Sequence, residues 1–145
     1  MDDFLTLDKQ LCFAIYETAS EFNKLYTNIL QPFGLTYPQY LVLLALWEED
    51  GITAKELGAK LKLGTGTLTP MVARMEANGW LQKQRSTEDE RKVHIYLQPK
   101  AYEQKPLITA RTLEAIKACN LTFEEYEEAM EVLQRLNAKL KGRTI

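Results

Sequence analysis

A residue that could carry redox chemistry in this 145-residue chain is Cys12, and a tyrosine, Tyr16, follows it four residues later. Residues four apart share one face of any helix that contains them. A cysteine thiolate attacks peroxides when its charge is stabilised and the oxidant has access to it. The pattern allows a redox site at Cys12, although the residues alone favour a small apolar residue in a packed helix.

A second set of residues has the chemistry of DNA binding. The segment 64–70 reads Gly-Thr-Gly-Thr-Leu-Thr-Pro and begins a predicted helix with small hydroxyl side chains, which can approach phosphates and base edges closely. Pro70 is expected in the first helical turn, where proline costs little. The candidate DNA contacts of this helix are Thr65, Gly66, Thr67, Thr69, Pro70 and Arg74.

A charged segment between two predicted strands adds a basic hairpin. The strands are predicted over residues 80–85 and 92–97, and the six polar residues between them suit an exposed tip. An arginine at such a tip can enter a narrow minor groove. The candidate contacts are Arg85, Arg91 and Lys92, while Asp89 is expected to bond back to Arg91 and hold it in place.

The remaining elements must position these two segments. Apolar residues recur at helical spacing over residues 7–30, and a second, almost wholly apolar helix runs from about Thr36 to Trp47. A capping box at Thr53-Ala-Lys-Glu56 begins a short helix, and another at 122–125 begins the last one. Pro99 is expected to break the chain. The order of elements predicts a mainly α chain with a winged helix-turn-helix.

Length and composition favour a single domain over residues 1–145. Its winged helix would span about 36–98, between amphipathic dimerisation helices at about 7–30 and 105–141. Two terminal apolar stripes exceed what one small core needs, so a homodimer is expected. The alternative is that both helices pack on the central unit.

The charge distribution agrees with a DNA-binding centre. The chain has a net charge of −2, but Thr53 to Lys100 holds nine Lys or Arg against five Asp or Glu, a local excess of +4. A basic excess on the winged-helix segment is the electrostatic footprint that DNA binding requires. Chance unevenness on a soluble surface is the competing explanation.

Several classes of protein are not favoured. The longest apolar run, Tyr40 to Trp47, is far shorter than the roughly 20 residues of a membrane-spanning helix. The amino terminus lacks a signal-peptide pattern, so the cytoplasm is the expected compartment. His94 is the only histidine and has no cysteine or carboxylate at metal-ligand spacing, so neither a metal nor a cofactor is expected.

Several of these motifs resemble the MarR family of transcription regulators. Residues 64–71 and Asp89-Glu-Arg91 resemble its winged helix, while residues 11–16 and 35–41 resemble its organic-hydroperoxide-sensing, OhrR-like branch. That branch usually has Asp-Ser-Gly-Thr where this chain has Gly64-Thr-Gly-Thr, which leaves the operator sequence open. The resemblance implies a dimeric repressor on a near-palindromic operator with half-sites about 10 base pairs apart, or a multiple of that.

The resemblance also implies roles for the tyrosines. Those matching Tyr26 and Tyr37 of one subunit are expected to donate hydrogen bonds to Cys12 of the other, since fourteen residues of helix put Tyr26 about 21 Å from Cys12 in its own chain. Oxidation of Cys12 by an organic hydroperoxide would displace them and release the operator. Cys119 is a candidate resolving thiol, and a low-molecular-weight thiol could act instead.

Two other functions remain open at this point. A small lipophilic effector could release the regulator while Cys12 stays silent, or the chain could be a thiol peroxidase that uses Cys12 catalytically. A dedicated peroxidase would not need a basic hairpin, so an enzyme is not expected.

Overall fold

The computed structural model describes residues 4–144 and confirms a mainly helical winged-helix fold. Met1–Asp3 and Ile145, the ends of the predicted domain, lie outside the described residues. After a 3-10 turn at Leu7–Lys9, the elements are α1 (Leu11–Leu30), α2 (Tyr37–Glu48), α3 (Ala54–Leu61), α4 (Thr65–Ala77), β1 (Leu81–Arg85), β2 (Val93–Leu97), α5 (Pro99–Ala118) and α6 (Phe123–Lys141), with a further 3-10 turn, Gln31–Phe33, between α1 and α2.

Three helices begin with a reciprocal capping box. The threonine hydroxyl accepts from the amide three residues later, and the side chain there accepts from the threonine amide, in the pairs Thr36 with Gln39, Thr53 with Glu56 and Thr122 with Glu125. The Thr53 hydroxyl also donates to Oε1 of Glu56 at 2.8 Å, and this bond is the main reason that the pKa of Glu56 is lowered. The pKa of Glu125 is lowered chiefly by the hydrogen bond from the Thr122 amide. The last two boxes confirm the sequence prediction.

Two helix starts differ from the prediction. α5 begins at Pro99 rather than near residue 105, so Pro99 starts a helix instead of breaking the chain. Proline suits the first helical position because its fixed φ is helical and its missing N–H needs no partner there. α1 begins at Leu11 rather than near residue 7, after the 3-10 turn. The two strands each start one residue later than predicted.

The hydrophobic core lies in the first of two compact units, which ends at Thr109. The four residues of α4 that were predicted to face inward are all buried: Leu68, Met71, Val72 and Met75. They share the core with fully buried side chains from α1, α2, α3 and the hairpin, among them Leu30, Leu43, Leu46, Leu57, Trp80 and Ile95. The core therefore fixes the orientation of α4 and of the hairpin.

The second unit starts at Ala110 and contains α6, which buries none of its residues. Its predicted apolar face is exposed in the single chain at Phe123, Tyr126, Met130, Leu133 and Leu140. The first half of α1 is also exposed, with Leu11 60% and Tyr16 72% accessible. Only the end of α1, at Ile29 and Leu30, is buried.

None of the described helices is by itself long and apolar enough to cross a membrane. The segments Leu11–Phe33 and Tyr37–Glu48 have the length and apolar composition of a membrane span only when they are taken together, and the chain bends by 74° between them.

Candidate functional site

The helix α4 presents its hydroxyl residues to solvent. Gly64 is the capping residue, and no side chain caps the helix start, so the first-turn amides are not covered from within the helix. The buried residues of α4 take one face. The six residues predicted as DNA contacts are all exposed, namely Thr65, Gly66, Thr67, Thr69, Pro70 and Arg74. The structure therefore brings them together on one accessible surface.

Pro70 lies inside α4, and its predicted place in the first turn is wrong. The helix starts at Thr65, so Pro70 is the sixth residue and would normally donate its N–H to the carbonyl of Gly66. That carbonyl consequently loses its usual partner within the helix. Proline is tolerated here on an exposed face, where water can hydrogen-bond to the carbonyl.

The hairpin carries the second predicted contact set, and we call β1, β2 and residues 86–92 the wing. Its strands pair antiparallel from Leu81 with Leu97 to Arg85 with Val93. The tip is closed by two backbone hydrogen bonds, from Ser86 N to Lys92 O and from Lys92 N to Asp89 O, each 2.9 Å. These bonds give the tip a defined backbone on which the basic side chains are mounted.

Asp89 holds Arg91 as predicted. Its Oδ1 accepts from the backbone N of Arg91 at 3.1 Å and from the guanidinium Nε at 3.2 Å. The amide contributes most to lowering the pKa of Asp89, and the guanidinium contributes next. The Arg91 side chain is nevertheless 92% exposed. It is therefore oriented by the tip and still free to contact a partner on its outer side.

The other two predicted basic contacts of the wing, Arg85 and Lys92, differ from each other. Arg85 donates through Nη1 to the carbonyl of Glu90, so it also braces the tip from within. Lys92 is exposed at the start of β2.

Two lysines that sequence reasoning did not select lie beside α4. Lys55 on α3 and Lys62 in the turn line one recess together with Thr65 and Thr69. Lys62 has a left-handed backbone with φ of 59°, which is uncommon for a residue other than glycine. Their only signal in the sequence was the local basic excess, because their proximity to α4 depends on the α3–α4 turn.

The end of α4 is tied to the start of α5. Lys100 donates through Nζ to the carbonyl of Asn78 at 2.9 Å, and its ammonium lies 4.5 Å from the centre of the Trp80 ring. A cation at a helix carboxyl terminus interacts favourably with the helix dipole.

Cys12 is the second residue of α1, and its thiol is free and exposed. The rings of Phe13 and Tyr16 stack near it along the helix, with centroids 6.3 Å apart. Cys119 follows α5 directly and is also free and exposed. Both thiols are therefore accessible to an oxidant in the single chain.

Tyr26 and Tyr37 come together as one aromatic cluster with a third tyrosine. Their ring centroids are 5.0 Å apart, and Tyr40 lies 5.6 Å from Tyr26 and 6.4 Å from Tyr37. Sequence reasoning did not select Tyr40, although its spacing of three from Tyr37 on α2 was a usable signal. Cys12 is not part of the cluster, since the helical rise of α1 separates it from Tyr26 by about 21 Å.

Over residues 4–144, no group of three or more His, Cys, Asp or Glu side chains is placed to hold a metal ion.

Comparison with known proteins identifies the family. The model of the transcriptional regulator SarA/Rot family matches residues 24–108, more than half of the chain. The regulator TtmR of Methylorubrum extorquens (strain PA1) is 40% identical over 142 residues, which cover 98% of this chain and 73% of that protein. The organic hydroperoxide resistance transcriptional regulator of Bacillus subtilis (strain 168) is 48% identical over 95 residues, covering 66% of this chain and 65% of its own.

Solved structures agree with this assignment. Reduced AbfR bound to DNA superposes with a TM-score of 0.81 at 40% identity, covering 93% of this chain and 92% of that one. AbfR is a protein of Staphylococcus epidermidis. These relatives are transcriptional regulators rather than enzymes. With its winged helix and exposed basic surface, the chain belongs to the MarR/SarA-type family of transcriptional regulators.

Proposed function

We propose that this regulator is a homodimeric, cytoplasmic repressor that leaves its operator when an organic hydroperoxide oxidises Cys12. One observation carries the proposal: the exposed thiol of Cys12 lies on a helix face that also exposes Leu11, Ile15 and Phe22. An apolar surface around a reactive thiol suits an alkyl or lipid hydroperoxide better than hydrogen peroxide.

The DNA contact is assigned to α4 and the wing, within residues 36–98. The exposed hydroxyl residues of α4 would enter the major groove, which is about 12 Å wide and accepts a helix. Arg91 would enter the minor groove beside it, with Arg85 supporting the tip and Lys92 near the backbone. Lys55 and Lys62 would add phosphate contacts next to Thr65. A near-palindromic operator follows from a two-fold dimer.

The dimer would be formed by the flanking helices. The exposed apolar faces of α1 and α6 need a partner, because contiguous apolar patches of this kind mark interaction sites. A second copy also completes the thiol site. The cluster of Tyr26, Tyr37 and Tyr40 is too far along α1 to reach Cys12 in the same chain, so the phenols beside Cys12 would come from the partner subunit.

The redox step is a two-electron oxidation of sulfur. The Cys12 thiolate attacks the distal peroxide oxygen, the O–O bond breaks, and the alkoxide takes up a proton to leave as an alcohol. Cys12 becomes a sulfenic acid. A second thiol then displaces water to form a disulfide. That thiol would be Cys119 of the other subunit or a low-molecular-weight thiol. The change in volume and polarity would disturb the tyrosine cluster and, through it, the spacing of the two wings.

Relatives support the redox part of this proposal. The Bacillus subtilis regulator is named for organic hydroperoxide resistance. AbfR has been solved in a reduced form on DNA, in a disulfide form and in an overoxidised form on DNA. A regulator of this kind would act once for each oxidation, without catalytic turnover.

The test is a gel shift on the DNA upstream of the chain's own gene, with and without cumene hydroperoxide. The unaltered protein should bind and then be released by peroxide, while Cys12→Ser should bind equally well and stay bound. Cys119→Ser is the matched control for loss of a thiol. Its response to peroxide distinguishes a disulfide between Cys12 and Cys119 from one between Cys12 and a low-molecular-weight thiol. Release of Cys12→Ser by peroxide would refute the sensor. Steady peroxide turnover with a thiol reductant, undiminished without the wing, would indicate a peroxidase.

A further inference from the structure

The wing forms backbone hydrogen bonds along both edges of β2. On one edge β2 pairs with β1, and on the other it meets the turn that follows α2. There Gly51 N donates to Ile95 O and Ile95 N donates to Ile52 O, each at 2.9 Å. Gly51 has a φ of +78°, and a Cβ at this residue would come 2.7 Å from Cε1 of Tyr96. Glycine suits this turn because of its positive φ, and a larger residue there would also require the exposed ring of Tyr96 to move.

Asp50 extends this attachment to α5. Its Oδ1 accepts from the backbone N of Leu97 at 2.8 Å, and its Oδ2 accepts from the hydroxyl of Tyr102 at 3.2 Å. Leu97 ends β2, and Tyr102 lies in the first turns of α5. One carboxylate thus joins the turn after α2, the end of the wing and the helix that follows the wing.

The two donors to Asp50 are both neutral: they are the backbone N–H of Leu97 and the hydroxyl of Tyr102. Burial raises the pKa of the Tyr102 phenol, and the negative charge of Asp50 raises it further. The phenol therefore remains protonated at neutral pH and continues to donate. An ionised acceptor strengthens a hydrogen bond, but Tyr102 is 51% exposed and the bond is 3.2 Å long, so its strength is that of an ordinary hydrogen bond.

The covalent link between the wing and α5 is short. Only Gln98 separates the last residue of β2 from Pro99, the first residue of α5. The backbone N of Gln98 donates to Trp80 O at 2.9 Å, which holds the link on the β1 side, and contacts on the opposite side must complete the support that sets the angle between wing and helix. Asp50 provides such a contact, because it binds the last amide before the link and a side chain just beyond it.

We propose that Asp50 and Tyr102 are positioning residues for the wing, which hold it at a fixed angle to α5 so that Arg91 reaches the minor groove. The inference rests on the wing contact in the proposed function. If Asp50 and Tyr102 have this role, the direction of α5 affects operator affinity. A tilt of α5 at Tyr102 would move Asp50, and with it the end of β2 at Leu97.

The first test compares Tyr102→Phe, which removes one hydroxyl and keeps the ring, with Arg91→Ala and with the double variant. Operator affinity is measured by fluorescence anisotropy. Tyr102→Phe should weaken binding about 3-fold to 10-fold in the unaltered chain, as expected for one hydrogen bond. In the Arg91→Ala background the same change should cost less than about twofold, because a wing without its arginine gains little from being positioned.

Tyr96→Phe is the matched control. It removes a phenol from β2 itself, and within residues 4–144 the structure shows no hydrogen bond from that hydroxyl. It should change affinity by less than about twofold. Equal losses from Tyr102→Phe in both backgrounds would mean that Tyr102 acts through general stability and would overturn the positioning role. No loss in either background would overturn it as well.

A second test does not use DNA. Spin labels at Thr87→Cys on the wing tip and Glu103→Cys on α5, with both native cysteines replaced by serine, report the wing–helix distance in dimers diluted with unlabelled chains. The distance distribution should broaden in Tyr102→Phe and in Asp50→Ala and remain unchanged in Tyr96→Phe. If the distance distribution is not broadened in either Tyr102→Phe or Asp50→Ala, the inference is refuted. If Arg91→Ala does not affect binding, the wing contact of the proposed function fails, and the distance measurement still decides the positioning role.

Discussion

The most direct test of the DNA-binding surface is Arg91→Ala. The side chain is 92% exposed, and its described polar partner is Asp89 in the same tip. Asp89 also accepts from the backbone N of Arg91, which the substitution retains. The fold and the hairpin should therefore be unchanged, and any change in binding reports the lost guanidinium.

The expected magnitude follows from counterion release. Each phosphate that a cationic side chain neutralises contributes about 0.9 to the slope of log affinity against log salt concentration. A dimer has two wings, so the slope should become shallower by about 1.8 if each arginine neutralises one phosphate. Between about 50 mM and about 200 mM salt, the affinity of both proteins for the operator should fall. The factor by which it falls should be roughly ten times smaller for the variant than for the unaltered protein.

Fluorescence anisotropy with a labelled operator, at four salt concentrations, gives both slopes. Arg135→Ala is the matched control, since it removes the same charge from an exposed position on α6 and should leave the slope unchanged. Asp89→Asn should weaken binding with little change in slope, because the arginine keeps its charge and loses its orientation. An unchanged slope in Arg91→Ala would remove the wing from the DNA contact.

Three further predictions concern stability and ionisation. The folded pKa of Asp89 is lowered, so its contribution to the hairpin is present above the unfolded pKa and is lost as the pH falls through the lower folded value. A carbon-13 NMR titration should find the midpoint of Asp89 below that of an aspartate in an unfolded peptide, and Arg91→Ala should raise it only in part because the amide remains. Lys100→Met removes the hydrogen bond to Asn78 and should lower the free energy of unfolding by about 1 kcal/mol, measured by urea denaturation. Leu46→Ala, at a fully buried site, should cost about 2–5 kcal/mol in the same assay, and a loss under 1 kcal/mol would contradict the assigned core.

Local sequence patterns predicted the features that depend on a few neighbouring residues. The capping boxes at Thr53 and Thr122 are interactions within four residues, so the sequence contains all that is needed to predict them. The Asp89–Arg91 bond is equally local. The inward face of α4 followed from helical periodicity, since burial of one stripe is the main reason that a short helix is stable.

Two of the errors concerned prolines, whose effect depends on where a helix starts. Pro99 was expected to break the chain and instead begins α5, while Pro70 was expected in the first turn of α4 and lies in its sixth position. In each case the neighbouring elements set where the helix starts. β2 ends at Leu97, with only Gln98 between it and α5, and the turn after α3 places the start of α4 at Thr65.

The assembly of the site could be predicted only in part. Tyr26 and Tyr37 were selected through a family resemblance, but the third member, Tyr40, and the proximity of Lys62 to Thr65 depend on how α1 and α2, and α3 and α4, pack. Asp50 forms hydrogen bonds with Leu97 and Tyr102, which follow it in the sequence by 47 and 52 positions. No sequence pattern indicates a contact at such a separation.

The absence of buried residues in α6 has a consequence for the abundance of the protein in the cell. An isolated helix of nineteen residues is only marginally stable in water, so its order must come from whatever covers its apolar stripe. If a second copy supplies that cover, folding of the carboxyl-terminal segment becomes a bimolecular event, and the melting temperature must rise with protein concentration. Newly synthesised copies would then be most vulnerable to proteolysis when they are scarce, which gives the cell a threshold of expression below which the regulator does not accumulate.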